Sequence, residues 1–185
     1  MTDLEDRKRF KTVAIEAARQ AGKILLDQVR HGFRVEHKQT IDLVTDADRT
    51  SEQAIVERLR AAFPDHEILA EERGLTAARS SRYRWVIDPL DGTTNFAHGL
   101  PIYAVSIALE YDGATLLGVV LDPGRDELFI AEAGEGATLN GQPLHVSRTA
   151  ALTDALLVTG FAYDIRESSR NNLDYFGRFS LRAQG

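Results

Sequence analysis

The chain has 185 residues, 43% of them hydrophobic and 27% charged, enough for one sizeable core with the start of a second lobe and too apolar for disorder. A formal net charge of −6 and a pI near 5.4 leave no basic field for nucleic acid or anionic lipid, so a phosphate ester would need a local device such as a metal ion. With no cysteine, disulfides, thiolate catalysis and cysteine-based zinc sites are excluded.

The first eleven residues are densely charged and no apolar stretch follows them, so no secretory signal is visible. Apolar runs such as 116–121, interrupted by Gly118, are too short to span a bilayer, and a cytoplasmic protein without membrane contact is expected. Phe10, Val13, Ala14, Ala17, Ala21, Ile24 and Leu25 recur at helical spacing and predict an amphipathic helix over 4–30. Thr2 with Glu5 makes a capping box at its start, and Gly32 is its natural stop. A second helix is predicted over 49–63, with Ile55, Leu59, Ala62 and Phe63 inward and Pro64 ending it.

The pattern then changes to short strands. HEILAEE, RYRWVID, YAVSIALEYDG, ATLLGVVLD and DELFIAEAG alternate with turn residues, and Asp112-Gly113 and Asn140-Gly141 are two-residue hairpin signals. Helices followed by a hairpin-rich antiparallel sheet predict an α+β layered fold. From Ser147 the texture shifts: a strand over 156–159 and a helix over 167–179 read as the opening of an α/β unit. The expected division is 1–146, an N-terminal α+β subdomain, and 147–185, the beginning of an incomplete C-terminal α/β subdomain. Leu156, Leu157, Val158, Phe161, Phe176 and Phe179 would then be partly exposed.

Three groups of acids fall where elements end: Asp46 and Asp48 before the second helix, Glu71 and Glu72 after EILA, and Asp88 and Asp91 after WVI. Carboxylates converging from several strand ends repel one another unless a cation sits among them. Magnesium takes hard oxygen ligands, and Glu71, Asp88, Asp91 and the carbonyl of Leu90 suit it, with Pro89 fixing the chain between the acids. In the GTT that follows, Gly92 permits close backbone approach, and Thr93 and Thr94 open a helix whose amides can bind an anion. Asp46 or Glu72 taken singly reads equally well as a cap or turn former. His98, beside Gly99 and Pro101, reads as structural, and the other histidines are scattered without ligand spacing.

DPLDGTTNFAHGLP resembles the first signature of the inositol monophosphatase family, the lithium-sensitive, magnesium-dependent sugar-phosphate phosphatases. DLVTDAD, FPDHEILAEE and GEGATLNGQPL follow the family's order, and the similarity extends from the first helix to about Phe161. The resemblance implies a layered αβαβα sugar-phosphatase fold, Mg2+ as cofactor and a homodimer. It implies that Glu71, Asp88 and Asp91 ligate magnesium with the Leu90 carbonyl, and that Gly92 and Thr93 bind phosphate through their amides. Asp48 matches the aspartate that, with Thr93, positions or deprotonates the attacking water, and Lys38 resembles the family's loop lysine before DLVT. The family's second signature, Trp-Asp-x-Ala-Ala-Gly, has no counterpart here, because Trp85 is the only tryptophan and Val86 follows it. The expectation is therefore a chain that stops before that signature.

The activity implied is hydrolysis of inositol monophosphate or another small phosphorylated polyol by a metal-activated water, catalysed by Glu71, Thr93 and Asp48. The alternatives are a related ester (histidinol phosphate, fructose 1,6-bisphosphate or phosphoadenosine phosphate) and a non-catalytic, metal-binding remnant.

Overall fold

The computed structural model describes residues 4–37, 43–76, 81–162 and 164–184. They form two compact units, Met1–Leu144 and His145–Gly185.

In the first unit, helix α1 (Leu4–His31) matches the predicted span, and Gly32 ends it in the left-handed conformation, its amide donating to the Gln28 carbonyl at 2.8 Å. Thr2 lies outside the described residues. The short strands β1 (Val35–His37) and β2 (Leu43–Thr45) pair antiparallel and lead into α2 (Asp46–Ala62). This helix begins three residues before the predicted start. Thr45 caps it through a capping box with Asp48, so the Asp-Ala-Asp run joins the first turn instead of preceding it.

The main sheet runs in the order β10-β9-β8-β7-β6-β5-β3-β4. Its strands are β3 (Glu67–Ala70), β4 (Gly74–Thr76), β5 (Tyr83–Asp91), β6 (Ala104–Tyr111), β7 (Ala114–Asp122), β8 (Glu127–Glu132), β9 (Gly136–Leu139) and β10 (Gln142–Pro143). The α+β layering is as expected, but the sheet is mixed: β3 and β5 pair in parallel, while the other neighbours are antiparallel. Asp112-Gly113 and Asn140-Gly141 make their hairpins with positive φ at both residues, 49° and 79° in the first and 48° and 80° in the second. These angles match the right-handed twist of the flanking strands.

Alternate residues of β5, β6 and β7 (Trp85, Ile87, Val105, Ile107, Leu109, Val119) turn one sheet face inward. Ala14, Ala17, Ala21 and Leu25 of α1, with Ile55 and Leu59 of α2, cover that face. The small residues let α1 come close: a Cβ on Gly22 would meet Leu121 Cδ2 at 2.8 Å. Burial of this cluster, at about 25 cal/mol per Å² of apolar surface, drives formation of the layer. It also holds the C-terminal ends of β3 and β5 beside the start of α2. Among the described residues no helix is long and apolar enough to cross a membrane.

In the second unit, residues 156–159 form no strand. An apolar run makes a strand only where a ladder partner lies beside it, and none pairs with it among the described residues. A 3-10 turn (Leu152–Asp154) and α4 (Leu173–Ser180), shorter than predicted, are its regular elements. Asn172 Nδ2 donates to the Gly160 carbonyl at 2.8 Å and the Gln184 amide to that of Ala155 at 2.9 Å. Val158 is 99% and Leu156 83% exposed, and Leu157, Phe161, Phe176 and Phe179 are also exposed.

Candidate active site at the ends of β3, β5 and α2

Parallel pairing sets Ala70 of β3 beside Ile87 of β5, so Glu71, the first residue past β3, comes beside Asp88, which stays in β5 opposite Ser106 of β6. The Glu71 amide donates to the Ile87 carbonyl at 3.2 Å, continuing the pairing one step past β3. The two carboxyl groups share a hydrogen bond. Burial, then the neighbouring Glu71 charge, then that hydrogen bond push Asp88 up to about 7, and Asp91 adds a smaller push. A carboxyl–carboxyl hydrogen bond needs a proton between two groups that ordinarily carry none at neutral pH.

The Asp88-Pro89-Leu90-Asp91 segment turns by a local device. The Leu90 amide donates to Asp88 Oδ1 at 3.0 Å, and the pairing of β5 with β6 shifts register between Asp88 and Asp91. Such an irregularity re-aims side chains at a strand end: the Leu90 side chain enters the core, while Asp91 is exposed. Gly92 follows with φ 92°, and a Cβ there would lie 2.9 Å from the Ile102 carbonyl oxygen. Helix α3 (Thr93–Ala97) starts here, and its first amides have no acceptor within the helix.

Asp48 completes the arrangement. Its Oδ2 accepts the Thr45 amide at 2.7 Å and the Thr45 hydroxyl at 2.6 Å. The buried Thr93 hydroxyl lies 3.2 Å from Asp48 Oδ1 and 3.0 Å from the Leu90 carbonyl, and its single proton serves one of them at a time. Burial holds Asp48 above the usual carboxylate range against these hydrogen bonds. An aspartate and a hydroxyl in this relation can pass a proton to or from a water beside the hydroxyl.

Asp48, Thr93 and Leu90 are thus joined by hydrogen bonds, Glu71 and Asp88 by another, and Asp91 acts on Asp88 through charge. Lys38 lies outside the described residues. Among the described residues no three acidic or imidazole side chains are already drawn close enough to hold a metal ion. The donor chemistry nevertheless fits a hard divalent cation, to which the Glu71 and Asp88 carboxyls and the Leu90 carbonyl would offer oxygens. Sequence reasoning missed Thr45 and Glu52, both buried, which hold these groups from behind. The signal for Thr45 was the threonine three residues before Asp48; a glutamate one helical turn after Asp48 carries no comparable sign.

A protein-family model described as the inositol monophosphatase family matches residues 6–184. The chain is 46% identical over 168 residues to "Nus factor SuhB" of Pseudomonas aeruginosa, covering 89% of this chain and 61% of that protein. It is 43% identical over 181 residues to "Inositol-1-monophosphatase" of Synechocystis sp., covering 97% of this chain and 63% of that one. The structure of an inositol monophosphatase from Anabaena superposes with a TM-score of 0.84 at 44% identity, covering 96% of this chain and 65% of that one. A more distant structure, an IMPase/NADP phosphatase complexed with Mg2+ and phosphate, gives a TM-score of 0.72 at 28% identity over 81% of this chain and 57% of that one. The chain therefore spans about six-tenths of the length of the curated relatives it matches. It belongs to the inositol monophosphatase family.

Proposed function

We propose that this family member is a Mg2+-dependent phosphomonoesterase that hydrolyses inositol monophosphate or a closely similar polyol phosphate. What supports the reading most is one arrangement: the Glu71 and Asp88 carboxyls set beside each other by the β3–β5 pairing, where burial and the Glu71 charge push Asp88 up to about 7, next to an aspartate–threonine pair able to move a proton. Glu71, Asp88, Asp91 and the Leu90 carbonyl would hold the metal. When bound, it supplies positive charge to the phosphate oxygens and makes water more acidic. Asp48 draws the Thr93 hydroxyl proton toward itself, so the Thr93 oxygen accepts from the attacking water and orients it. The amides at Gly92 and Thr93, at the start of α3, would receive the phosphate oxygens. The water oxygen would bond to phosphorus as the ester P–O bond breaks, the water's proton passing by way of the Thr93 hydroxyl to Asp48 and the departing alkoxide taking one from solvent water. Lys38, a cytoplasmic location and a homodimer remain parts of this proposal by resemblance.

The test is phosphate release from inositol monophosphate, histidinol phosphate, fructose 1,6-bisphosphate and phosphoadenosine phosphate, with Mg2+ and with or without Li+. Turnover of inositol monophosphate, lost in Asp91→Asn, is the expected result. Near-parental activity in that variant would overturn the site, and a nucleotide outpacing inositol monophosphate by a wide margin would overturn the substrate. Several relatives carry the name Nus factor, and beside the hydrolase reading stands a non-catalytic, metal-binding role, which a folded chain inert toward all four esters would favour.

A further inference from the structure

Glu52 lies on α2 one turn beyond Asp48, and its side chain is fully buried. A carboxylate taken out of water on a packed helix face carries a cost that an apolar residue of the same length would avoid. Its Oε2 accepts the Glu72 amide at 2.7 Å, and its Oε1 lies 3.3 Å from Arg73 Nε without a hydrogen bond of its own. Those contacts fall on the turn that follows β3. On the near side of that turn the Glu71 amide is tied to the Ile87 carbonyl of β5. Residue 71 therefore sits between two fixed amides, one held by the sheet and the other by Glu52. We infer that Glu52 is a positioning residue that holds the 71–73 turn so that the Glu71 carboxyl stays beside Asp88.

One helix then steers both halves of the site: Asp48 reaches Thr93, and Glu52 reaches the backbone behind Glu71. Groups that orient a metal ligand from behind typically change metal affinity 10–100-fold when lost. Burial holds Glu52 above the usual carboxylate range, while the Glu72 and Arg73 amides and the Arg73 charge oppose this. Its acceptor function survives either way, because a protonated carboxyl keeps one carbonyl oxygen. The inference rests on the magnesium reading above only where magnesium is the readout.

Glu52→Met keeps the length and helix preference but removes the carboxyl oxygen that accepts the Glu72 amide, whereas Glu52→Gln keeps an acceptor oxygen. Two measurements on the full chain separate anchoring from general stability: calorimetric titration with Mg2+ and amide hydrogen exchange of the metal-free protein. In Glu52→Met, Mg2+ affinity is expected to fall at least tenfold and Glu72 amide protection at least tenfold, with α1 and β6 amides unchanged. Glu52→Gln is expected to retain both within about threefold, and a merely structural glutamate would not give this split. Unchanged Glu72 protection in a folded Glu52→Met overturns the inference. If that variant does not fold, a folded Glu52→Gln that keeps Glu72 protected yet binds Mg2+ more than tenfold more weakly overturns it. A parent chain that takes up no Mg2+ overturns the magnesium reading alone, since the exchange data still decide whether Glu52 holds the turn.

Discussion

Replacing His66 tests how the sheet end that carries Asp88 is held. His66 follows α2 and stacks between Phe63 and Tyr83, with ring centroids at 5.0 and 4.6 Å and interplanar angles of 13° and 14°. The buried indole of Trp85, three residues before Asp88, donates Nε1–H to His66 Nδ1 at 3.1 Å. The neutral imidazole must therefore carry its proton on Nε2. His66→Ala leaves that indole N–H without a partner, at about 1–3 kcal/mol, and removes ring contacts of about 0.5–1.5 kcal/mol each that do not simply add. A total of about 2–4 kcal/mol corresponds to a Tm lower by roughly 5–15 °C for a chain of this size. His66→Asn, which can offer an acceptor near the Nδ1 position, should recover about 1 kcal/mol. The pH dependence has a definite sign. Burial lowers the His66 pKa below its usual 6.5, an effect that Arg9 reinforces and Asp65 and Asp6 oppose. The unfolded chain thus takes up this proton first, so the stabilisation is complete above about pH 6.5 and is lost as pH falls through the lower folded pKa. Thermal melts for the Tm, and urea titrations at pH values from 8 to 5 for the pH dependence, both followed by fluorescence of Trp85, the only tryptophan, measure the two effects. A His66→Ala Tm within 2 °C of the parent, or a parent–variant difference that does not shrink on acidification, would refute the reasoning.

Gly92→Ala should cost at least about 2 kcal/mol in urea denaturation, because it combines a left-handed φ with a Cβ 2.9 Å from the Ile102 carbonyl oxygen. Thr93→Val keeps the shape but removes the hydroxyl between Asp48 and Leu90; kcat for phosphate release should fall about 100-fold or more with KM little changed, and a change under threefold would take Thr93 out of the proton path. Thr45→Val removes the α2 cap and leaves Asp48 Oδ2 with one partner fewer, and thermal melts by circular dichroism should show a loss of about 1–2 kcal/mol.

Local chemistry made much of this fold legible. The period of α1 is long and regular, and β6 and β7 are separated by Asp112-Gly113, whose residues suit the positive φ of a tight hairpin, so these elements fall where expected. The start of α2 was misplaced because Asp48 has two roles: its acidity reads as a site residue, while its hydrogen bonds to Thr45 make it part of the cap. The parallel β3–β5 pair joins segments separated by β4, and no local pattern encodes which strand lies beside which. Residues 156–159 fail for the same reason in reverse, being strand-like in composition without a partner.

The site follows this division. Asp88, Asp91, Gly92 and Thr93 sit in one short run and were legible as a group, whereas Glu71 joins them only through the parallel register that sets Ala70 beside Ile87. Glu52 could not be recognised at all, because on a helix rich in Glu, Gln and Arg it looks like one more solvated charge. Tertiary packing alone buries it, and a buried carboxylate must find donors. It finds them in the turn after β3: the Glu72 amide, which no exchange of side chains removes, and the Arg73 side chain, which one would. The carboxyl groups of this site are thus held largely by main-chain groups: Asp88 by the Leu90 amide, Asp48 by the Thr45 amide, and Glu71 through its own amide on Ile87. Main-chain donors carry no mark in the sequence, and they fix the acids while keeping Glu71 and Asp88 beside each other across the β3–β5 pairing.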